Sequence, residues 1–362
     1  MTLKRIGVVF PGYGQQFIGM GKDLYDELRI VQEFFEQAAS TAELNFVKLM
    51  FASSDDDISS IRNSYVAIYL FEAALYQVLF DKGLRPDFVA GYGIGEYAAG
   101  YASGSLSFVD GLYILNKYAQ FYDDFLKDKD YTVLRIIREF EVESIEELCE
   151  KKSTVHDVAV VSSQNTQNAF YVAGSEKVIE KIQEYCIKEV IRKVRIIGSG
   201  YGMHSHLVDP VVEQLKFYYH KIQFKDLKVP VITNVDGVYV TTGIAFESAI
   251  QRKINHRIQW FEVMKGFEGC DVIISVGPGD QLIEWFKEVY PDKEYHQVTS
   301  INDIDKIAHL FQSNVLADGD TMGQSITDEQ AELLNPDVDA NKNLYDADQV
   351  NELPTDFDVD DE

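Results

Sequence analysis

The feature that most constrains this chain is a glycine-framed turn, which reads Gly91-Tyr92-Gly93-Ile94-Gly95. It follows the apolar run "DFVA" and precedes a stretch with helical composition, so the sequence predicts a buried strand, a sharp turn and a helix. A nucleophile elbow has this arrangement, with the pattern G-x-S-x-G and its serine at the tip. Gly93 occupies the serine position. The sequence therefore predicts an elbow whose frame is intact and whose nucleophile is missing.

Apolar segments that end at glycine recur along the chain: "RIGVVFPGYG", "DFVAGYGIG", "VPVITNVDG" and "CDVIISVGPG". The segments "VAIYLFEAALYQVLFDKGL" and "FVDGLYILNKYAQFYDDFLKD" instead carry apolar residues at helical spacing. Strands that alternate with helices predict an α/β fold, with a mostly parallel sheet and helices on both of its faces.

The middle of the chain has a different pattern. The segments "YTVLRIIREFE", "VESIEELCEKK", "VAVVSSQNTQNAFYVAGS" and "SEKVIEKIQEYCIKEVI" predict a strand, a helix, two strands and a helix. This is the order of a ferredoxin-like unit. We therefore expect a main domain built from residues 1–126 and 194–312, with a ferredoxin-like insert at residues 127–193. The open alternative is that the middle segment continues the main sheet.

The charge of the chain is acidic throughout, with a net value of −26. Residues 313–362 contain 15 acidic residues and a single basic one, which leaves a net charge of −12 for the rest. An acidic surface offers no basic face to phosphates, so we expect neither a nucleic-acid partner nor an anionic membrane partner. Few aromatic and many acidic residues predict that residues 313–362 form an acidic disordered tail.

Cysteine usage and acidic spacing bear on the compartment and on metals. Cys149, Cys186 and Cys270 form no C-x-x-C pair, which predicts a reduced, cytoplasmic protein without a cofactor. No apolar run reaches the roughly 18 residues of a membrane span. The tail segment "DVDANKNLYDAD" has EF-hand spacing, but Lys342 replaces the glycine of that loop and Asp348 its final glutamate. The sequence therefore predicts no metal site.

Four segments carry a family resemblance: "FPGYGQQFIGMG" (10–21), "GYGIGEYAAGYASGSLSFVDGL" (91–112), "GMHSHLVDPV" (202–211) and the stretch from "VPVITNVDG" to "DVIISVGPGDQLIEW" (229–285). In their order and spacing they resemble the malonyl-CoA:acyl carrier protein transacylases, the acyltransferase family of fatty acid and polyketide synthesis. The resemblance covers about residues 3–312. It implies an α/β-hydrolase-like large subdomain with a parallel sheet, and an inserted ferredoxin-like small subdomain.

The resemblance also implies a chemistry, which is ping-pong acyl transfer from coenzyme A through an elbow serine to the thiol of an acyl carrier protein. His204 matches the catalytic base, and Asn234 matches the residue whose backbone carbonyl orients that base. Tyr13 and Ile94 stand where two backbone N–H groups would hold the oxyanion. An acyl-CoA thioester and an acyl carrier protein are the expected partners, and no cofactor is implied.

The departures from the family lie at the chemistry. Gly93 replaces the nucleophilic serine, and Tyr92 replaces the histidine before it. Tyr118 falls where the malonate-binding arginine should be, and Tyr65 falls where a Gln-Pro pair usually begins. Glycine adopts the backbone of an elbow easily but has no side chain to acylate. We expect the three tyrosines to narrow the substrate pocket.

Three functions remain open at this point. The first is a pseudoenzyme that binds an acyl thioester, a carrier protein or a synthase partner without turnover. The second is altered chemistry, either thioester hydrolysis with His204 as the base or acyl transfer through a stand-in nucleophile such as Ser199, Ser205 or Tyr201. The third is a purely structural interaction protein that does not recognise thioesters.

Overall fold

The fold consists of two β-sheets with helices packed around them. The computed structural model describes residues 4–138, 141–189, 191 and 193–311. Within these ranges the strands are β1 (Ile6–Phe10), β2 (Phe88–Gly91), β3 (Tyr131–Ile137), β4 (Ala159–Thr166), β5 (Ala169–Ser175), β6 (Lys193–Ile196), β7 (Val231–Ile232), β8 (Tyr239–Val240), β9 (Ile258–Gln259), β10 (Val272–Val276) and β11 (Glu294–Val298).

The helices within the same ranges fall into two groups along the chain. Those before β3 are α1 (Lys22–Glu27), α2 (Arg29–Ala42), α3 (Phe46–Ala52), α4 (Asp55–Ser59), α5 (Ile61–Asp81), α6 (Gly95–Ala102) and α7 (Phe108–Leu126). Those after it are α8 (Val142–Lys152), α9 (Glu176–Lys188), α10 (Asp209–Tyr219), α11 (Gly243–Asn255), α12 (Trp260–Lys265), α13 (Gln281–Val289) and α14 (Ile301–Lys306), with 3₁₀ turns at Ser199–Tyr201, His206–Val208 and Ala308–Leu310.

The main sheet has the strand order β11-β10-β1-β2-β7-β8. All neighbouring strands in it are parallel except β7 and β8, which are antiparallel. Every residue of β1, β2 and β10 is buried, as expected when helices cover both faces of a parallel sheet. The predicted α/β class is therefore confirmed. Because these strands are parallel, the glycine-rich turns that follow β1, β2 and β10 all lie at the carboxyl ends of the strands.

The second sheet has the order β6-β3-β5-β4-β9. Its first four strands, with α8 and α9 between them, are arranged as in a ferredoxin-like unit. One face of this sheet packs against α8 and α9 through Leu134, Ile136 and Val172, while Val133 and Tyr171 join the core around the main sheet. The two-residue strand β9 extends the sheet from much later in the chain, pairing in parallel with β4. The domain boundaries at residues 126, 193 and 312 remain predictions.

Several other sequence predictions can be placed against this fold. The three cysteines are buried and free. Among the described residues, no helix combines the length and the apolar character that a membrane crossing requires. The predicted acidic tail, residues 313–362, and the EF-hand-like segment within it lie outside the described residues.

Candidate active site

The glycine-framed turn forms an elbow between β2 and α6. A Cβ atom at Gly91 would lie 2.0 Å from the carbonyl oxygen of Gly95, and one at Gly95 would lie 2.3 Å from that of Phe10. Both flanking positions therefore require glycine, because the strand, the helix and the first loop cross there in close contact. Gly93 has a φ of +56°, and a Cβ built on it would meet only Ile258 Cδ1, at 3.9 Å. The space where a serine side chain would begin is open.

Asn234 fixes this elbow through its side chain. Its Oδ1 accepts a hydrogen bond from the Gly93 N–H at 3.0 Å, and its Nδ2 donates to the Gly91 carbonyl at 2.6 Å. The prediction that its backbone carbonyl orients His204 is wrong, because His204 Nδ1 pairs with the Lys253 carbonyl oxygen at 2.8 Å, while the Asn234 carbonyl accepts the Gln259 N–H at 2.7 Å. An amide side chain offers an acceptor and a donor together, which is what two adjacent backbone groups of a tight turn require.

His204 is buried and is oriented by a different residue. Its Nδ1 lies 2.8 Å from the backbone carbonyl oxygen of Lys253. Since a carbonyl oxygen only accepts, Nδ1 carries the proton and Nε2 keeps its lone pair. Burial lowers the pKa of His204 to about 4, so the ring is neutral near neutral pH. The imidazole is therefore in the state that a general base requires.

A buried ion pair that the sequence did not predict, between Lys253 and Glu96, supports the elbow. The Lys253 ammonium lies 2.8 Å from the Gly93 carbonyl oxygen and 3.5 Å from Glu96 Oε2, and it sits 4.3 Å from the centre of the Tyr97 ring. Both charged side chains are fully buried. Burial lowers the pKa of Lys253 to about 8 and raises that of Glu96. Glu96 is tied further into the elbow because its Oε1 accepts the Asn234 N–H at 2.9 Å.

The one sequence signal for this lysine is its place on α11. Phe246, Ile250 and Lys253 follow one another at helical spacing, and the first two are core residues. The same helix face therefore carries the lysine inward. A charged residue at the end of an amphipathic helix is more often a solvent-exposed one, which is why the pattern alone did not identify it.

Two residues that line the same site have backbone N–H groups without a partner among the described residues. Ile94 is the N-cap of α6, so its N–H belongs to the unpaired donors of a helix start. In the part of the chain that the structure describes, neither the Ile94 N–H nor the Tyr13 N–H has a hydrogen-bond partner. Both residues line one small cavity with Gly93 and His204. These are the donors that the family resemblance predicts for an oxyanion.

That cavity brings together the predicted site residues except Asn234, and of the three candidate stand-in nucleophiles it includes Tyr201 but not Ser199 or Ser205. Its volume is about 10 Å³. This space holds roughly one water molecule, whereas pockets for small molecules usually span roughly 300–1,000 Å³. The residues that line it are Tyr13, Tyr65, Tyr92, Gly93, Ile94, Tyr118, Gly200, Tyr201, His204 and Lys253.

Tyrosines from two loops close the cavity by packing onto each other's glycines. A Cβ at Gly200 would lie 2.3 Å from the Tyr13 ring, and one at Gly14 would lie 2.3 Å from the Tyr201 hydroxyl. The Tyr13 and Tyr201 rings meet edge to face at 5.3 Å, and the Tyr65 hydroxyl donates to the Gly200 carbonyl at 3.0 Å. The loop after β1 and the loop before His204 are thereby interlocked.

Tyr118 and Tyr92 also line the cavity. Tyr118, on α7, packs against Tyr65 with ring centres 5.6 Å apart. Tyr92 points towards the second sheet, where its hydroxyl donates to Asn165 Oδ1 on β4 at 2.7 Å. Its ring also meets Trp260 edge to face at 5.3 Å. Both side chains are packed in fixed contacts, so they are part of the core as well as of the cavity wall.

A mostly parallel sheet that carries a glycine elbow beside a buried histidine, next to a ferredoxin-like second sheet, defines an α/β protein with acyltransferase architecture. The model of the acyl transferase domain family matches residues 8–317, and the chain belongs to this family.

Curated relatives agree with this assignment. The malonyl CoA-acyl carrier protein transacylase of Bacillus subtilis (strain 168) is 26% identical over 289 residues, which cover 79% of this chain and 91% of the relative. The protein of the same name from Staphylococcus aureus (strain MRSA252) is 23% identical over 304 residues, covering 83% of this chain and 98% of the relative.

Solved structures share the fold. The malonyl CoA-acyl carrier protein transacylase of Coxiella burnetii superimposes with a TM-score of 0.81 at 23% identity, covering 86% of this chain and 98% of that one. A malonyl-transacylase solved in complex with its type II PKS acyl-carrier protein superimposes with a TM-score of 0.80 at 20% identity, covering 84% of this chain and 99% of that one.

Proposed function

We propose that this chain is a non-transferring member of the acyl transferase family, which binds a carrier protein or a synthase partner without forming an acyl-enzyme. The observation that carries the proposal is Gly93. It stands at the tip of an intact elbow and has no hydroxyl group. Ping-pong transfer needs a nucleophile that holds the acyl group between two half-reactions, and at this position the covalent intermediate cannot form.

The small cavity favours a surface partner over an acyl group held inside. At about 10 Å³, the space around Gly93 is too small for a malonyl group or a pantetheine arm. The class of partner comes from the relatives, whose name includes malonyl CoA and an acyl carrier protein, and from the structure of one such protein in complex with its carrier protein. For this chain we infer that the carrier protein or the synthase docks on the outer surface and that the pantetheine arm does not enter the cavity.

Intact-mass spectrometry tests the loss of transfer. The wild-type protein is incubated with malonyl-CoA and with acetyl-CoA, beside Gly93→Ser and, as a control for the backbone strain alone, Gly93→Ala. We expect no acyl adduct on the wild-type protein or on Gly93→Ala. An adduct on the wild-type protein would overturn the proposal, because it would reveal another nucleophile.

Binding of the carrier protein tests the partner. The carrier protein from the same organism is titrated in its apo and holo forms by calorimetry. If only its surface docks, the two forms bind with equal affinity. Tighter binding of the holo form would show that the phosphopantetheine arm enters the site, and no binding of either form would favour a synthase partner or a purely structural role.

A second candidate is slow thioester hydrolysis, and the state of His204 favours it. Its Nε2 keeps a lone pair, and Ile94 and Tyr13, which line the water-sized cavity, have backbone N–H groups without a partner among the described residues. Water would lose its proton to Nε2 as its oxygen attacked the thioester carbonyl, and the departing thiolate would take that proton. Among the stand-in nucleophiles, Tyr201 lines the cavity, but burial raises the pKa of its phenol and keeps it protonated.

Thiol release from acyl-CoA separates this candidate from the first one. Hydrolysis predicts release by the wild-type protein that falls to background in His204→Asn, a substitution that tolerates the positive φ of this residue. Equal release by the two proteins would remove this candidate.

The compartment and the other partners follow from the same features. Three buried free cysteines support the expectation of a reducing, cytoplasmic compartment. The acidic balance of the chain supports the expectation that neither nucleic acid nor an anionic membrane is a partner.

A further inference from the structure

We propose that Glu294, His296 and His309 form a binding site for a divalent transition-metal ion such as Zn²⁺. Glu294 and His296 lie on β11, the outermost strand of the main sheet, and the His309 ring lies 6.0 Å from that of His296. They share no residue with the candidate active site. Their spacing in the sequence matches no metal motif, so the site is not predictable from the sequence alone.

The distances between the ligand atoms suit one ion. One ligand atom from each side chain lies within 4.8 Å of the other two. His296 Nε2 is 2.8 Å from Glu294 Oε1, and His309 Nε2 is 3.5 Å from the same oxygen. Tetrahedral zinc, with bonds of about 2.0–2.1 Å, places its ligand atoms about 3.3 Å apart. The observed separations lie on either side of that value, so side-chain rotations alone would admit the ion between the three groups.

The local backbone explains why the groups converge. Glu294 and His296 are two residues apart on one strand, so their side chains leave the sheet on the same face. His309 comes from the 3₁₀ turn Ala308–Leu310, and its Nδ1 lies 3.1 Å from the Lys306 carbonyl oxygen. A carbonyl at that distance holds the proton on Nδ1 and leaves the Nε2 lone pair for a metal.

Lys4 orients the carboxylate of Glu294. The Lys4 ammonium contacts Glu294 Oε2, the oxygen that does not face the histidines. This contact orients the carboxylate and leaves Oε1 for the ion, as the outer partners of metal ligands commonly do. Two imidazoles and one carboxylate are ligands that suit zinc and cobalt better than calcium or magnesium. The side chains of Glu294, His296 and His309 are 31%, 22% and 56% exposed, which leaves room for entry and for a water as the fourth ligand.

The consequence of binding would be structural. The ion would join β11 to the 3₁₀ turn at the end of the described chain. That turn is otherwise short and carries no buried residue. A metal bond across it would stabilise the folded state in proportion to the ion's affinity and concentration.

Metal titration of the full chain tests the proposal. After chelator treatment, the protein is titrated with Zn²⁺ by calorimetry and with Co²⁺ by visible absorption. We expect one ion per chain, a Co²⁺ absorption band of tetrahedral type and a higher melting temperature with Zn²⁺. His296→Ala and His309→Ala should each weaken binding by about tenfold or more, and His156→Ala, which replaces an exposed histidine in the loop between α8 and β4, should leave it unchanged.

The variants also exclude nonspecific binding by the many carboxylates of the chain. Equal Zn²⁺ affinity and stoichiometry in the wild-type protein and in a His296→Ala/His309→Ala double variant would overturn the proposal. So would a Co²⁺ spectrum of octahedral type in the wild-type protein, since that geometry indicates oxygen ligands. His309 is more than half exposed, so its substitution should leave the fold intact.

Discussion

The Nδ1 atom of His204 lies 2.8 Å from the backbone carbonyl oxygen of Lys253, while the ammonium of the same lysine lies 2.8 Å from the carbonyl oxygen of Gly93. Lys253 thus orients His204 through its backbone and supports the elbow through its side chain. A side-chain substitution removes only the second contact. The two contributions can therefore be separated by experiment.

Replacing Lys253 with methionine should destabilise the fold by about 3–5 kcal/mol, because it leaves Glu96 buried without its partner. Urea unfolding measures this loss. A Glu96→Gln/Lys253→Met double variant should recover part of it, since no buried charge remains. Lys265→Met, which removes an exposed lysine from α12, is the control and should cost less than about 0.5 kcal/mol. A loss below about 1 kcal/mol for Lys253→Met would show that the pair carries little stability.

The lowered pKa of His204 predicts a pH-dependent stability. Burial places the folded pKa at about 4, below the ordinary value of 6.5, so the unfolded chain binds a proton more readily than the folded chain between these values. Stability should therefore be fully present above about pH 6.5 and fall as the pH drops towards 4, by about 2 kcal/mol between about pH 7.5 and about pH 5. Urea unfolding of the wild-type protein and His204→Asn at both pH values isolates this contribution. An equal pH dependence in both proteins would contradict it.

The elbow was predictable from sequence because its requirement is local. Gly91 and Gly95 must lack a Cβ to let the backbone cross, and that need shows directly as glycine at a fixed spacing. The alternation of strands and helices was predictable for the same reason, since the spacing of apolar residues within a short segment indicates a strand or a helix. The edge strand β11 was not identified, because its residues are only partly buried apart from the last one, and the run "EYHQV" lacks an apolar pattern.

The hydrogen-bond partners within the site could not be predicted, because they join residues far apart in the chain. Asn234 bonds to Gly93 across 141 positions, and Lys253 reaches the same residue across 160. Whether an asparagine uses its backbone or its side chain depends on where the sheet places it relative to the elbow. The resemblance identified Asn234 as a site residue, but its contacts in this chain required the structure.

The glycines of the elbow should differ sharply in their tolerance of alanine. Gly93→Ala places its methyl group in open space, so its only cost is the unfavourable positive φ, which should lower the free energy of unfolding by about 1–2 kcal/mol. Gly19→Ala is a matched control, with a φ of +93° and no atom near its Cβ, and should cost a similar amount. Gly91→Ala and Gly95→Ala place a Cβ against backbone and should cost far more, or prevent folding. Similar melting temperatures for Gly93→Ala and Gly91→Ala would contradict this account of the elbow.

Tyr118→Ala should open the site at a cost of about 3–5 kcal/mol, the usual loss for truncating a buried aromatic residue. Tyr118→Phe should lose much less, since it keeps the ring and its packing on Tyr65. Urea unfolding gives both values, with the exposed Tyr185→Ala as the control.

Tyr118→Ala also tests whether the missing hydroxyl group or the small cavity prevents acylation. Gly93→Ser restores the hydroxyl group but leaves a cavity of about 10 Å³, in which an acyl group does not fit. Gly93→Ser/Tyr118→Ala restores the hydroxyl and also opens the space beside it. We therefore expect an acyl adduct from acetyl-CoA on the double variant and none on Gly93→Ser alone, measured by intact-mass spectrometry. An adduct on Gly93→Ser itself would mean that the tyrosines yield to the substrate and that the missing hydroxyl is the only block. No adduct on a folded double variant would mean that His204 and the backbone donors no longer support acyl transfer.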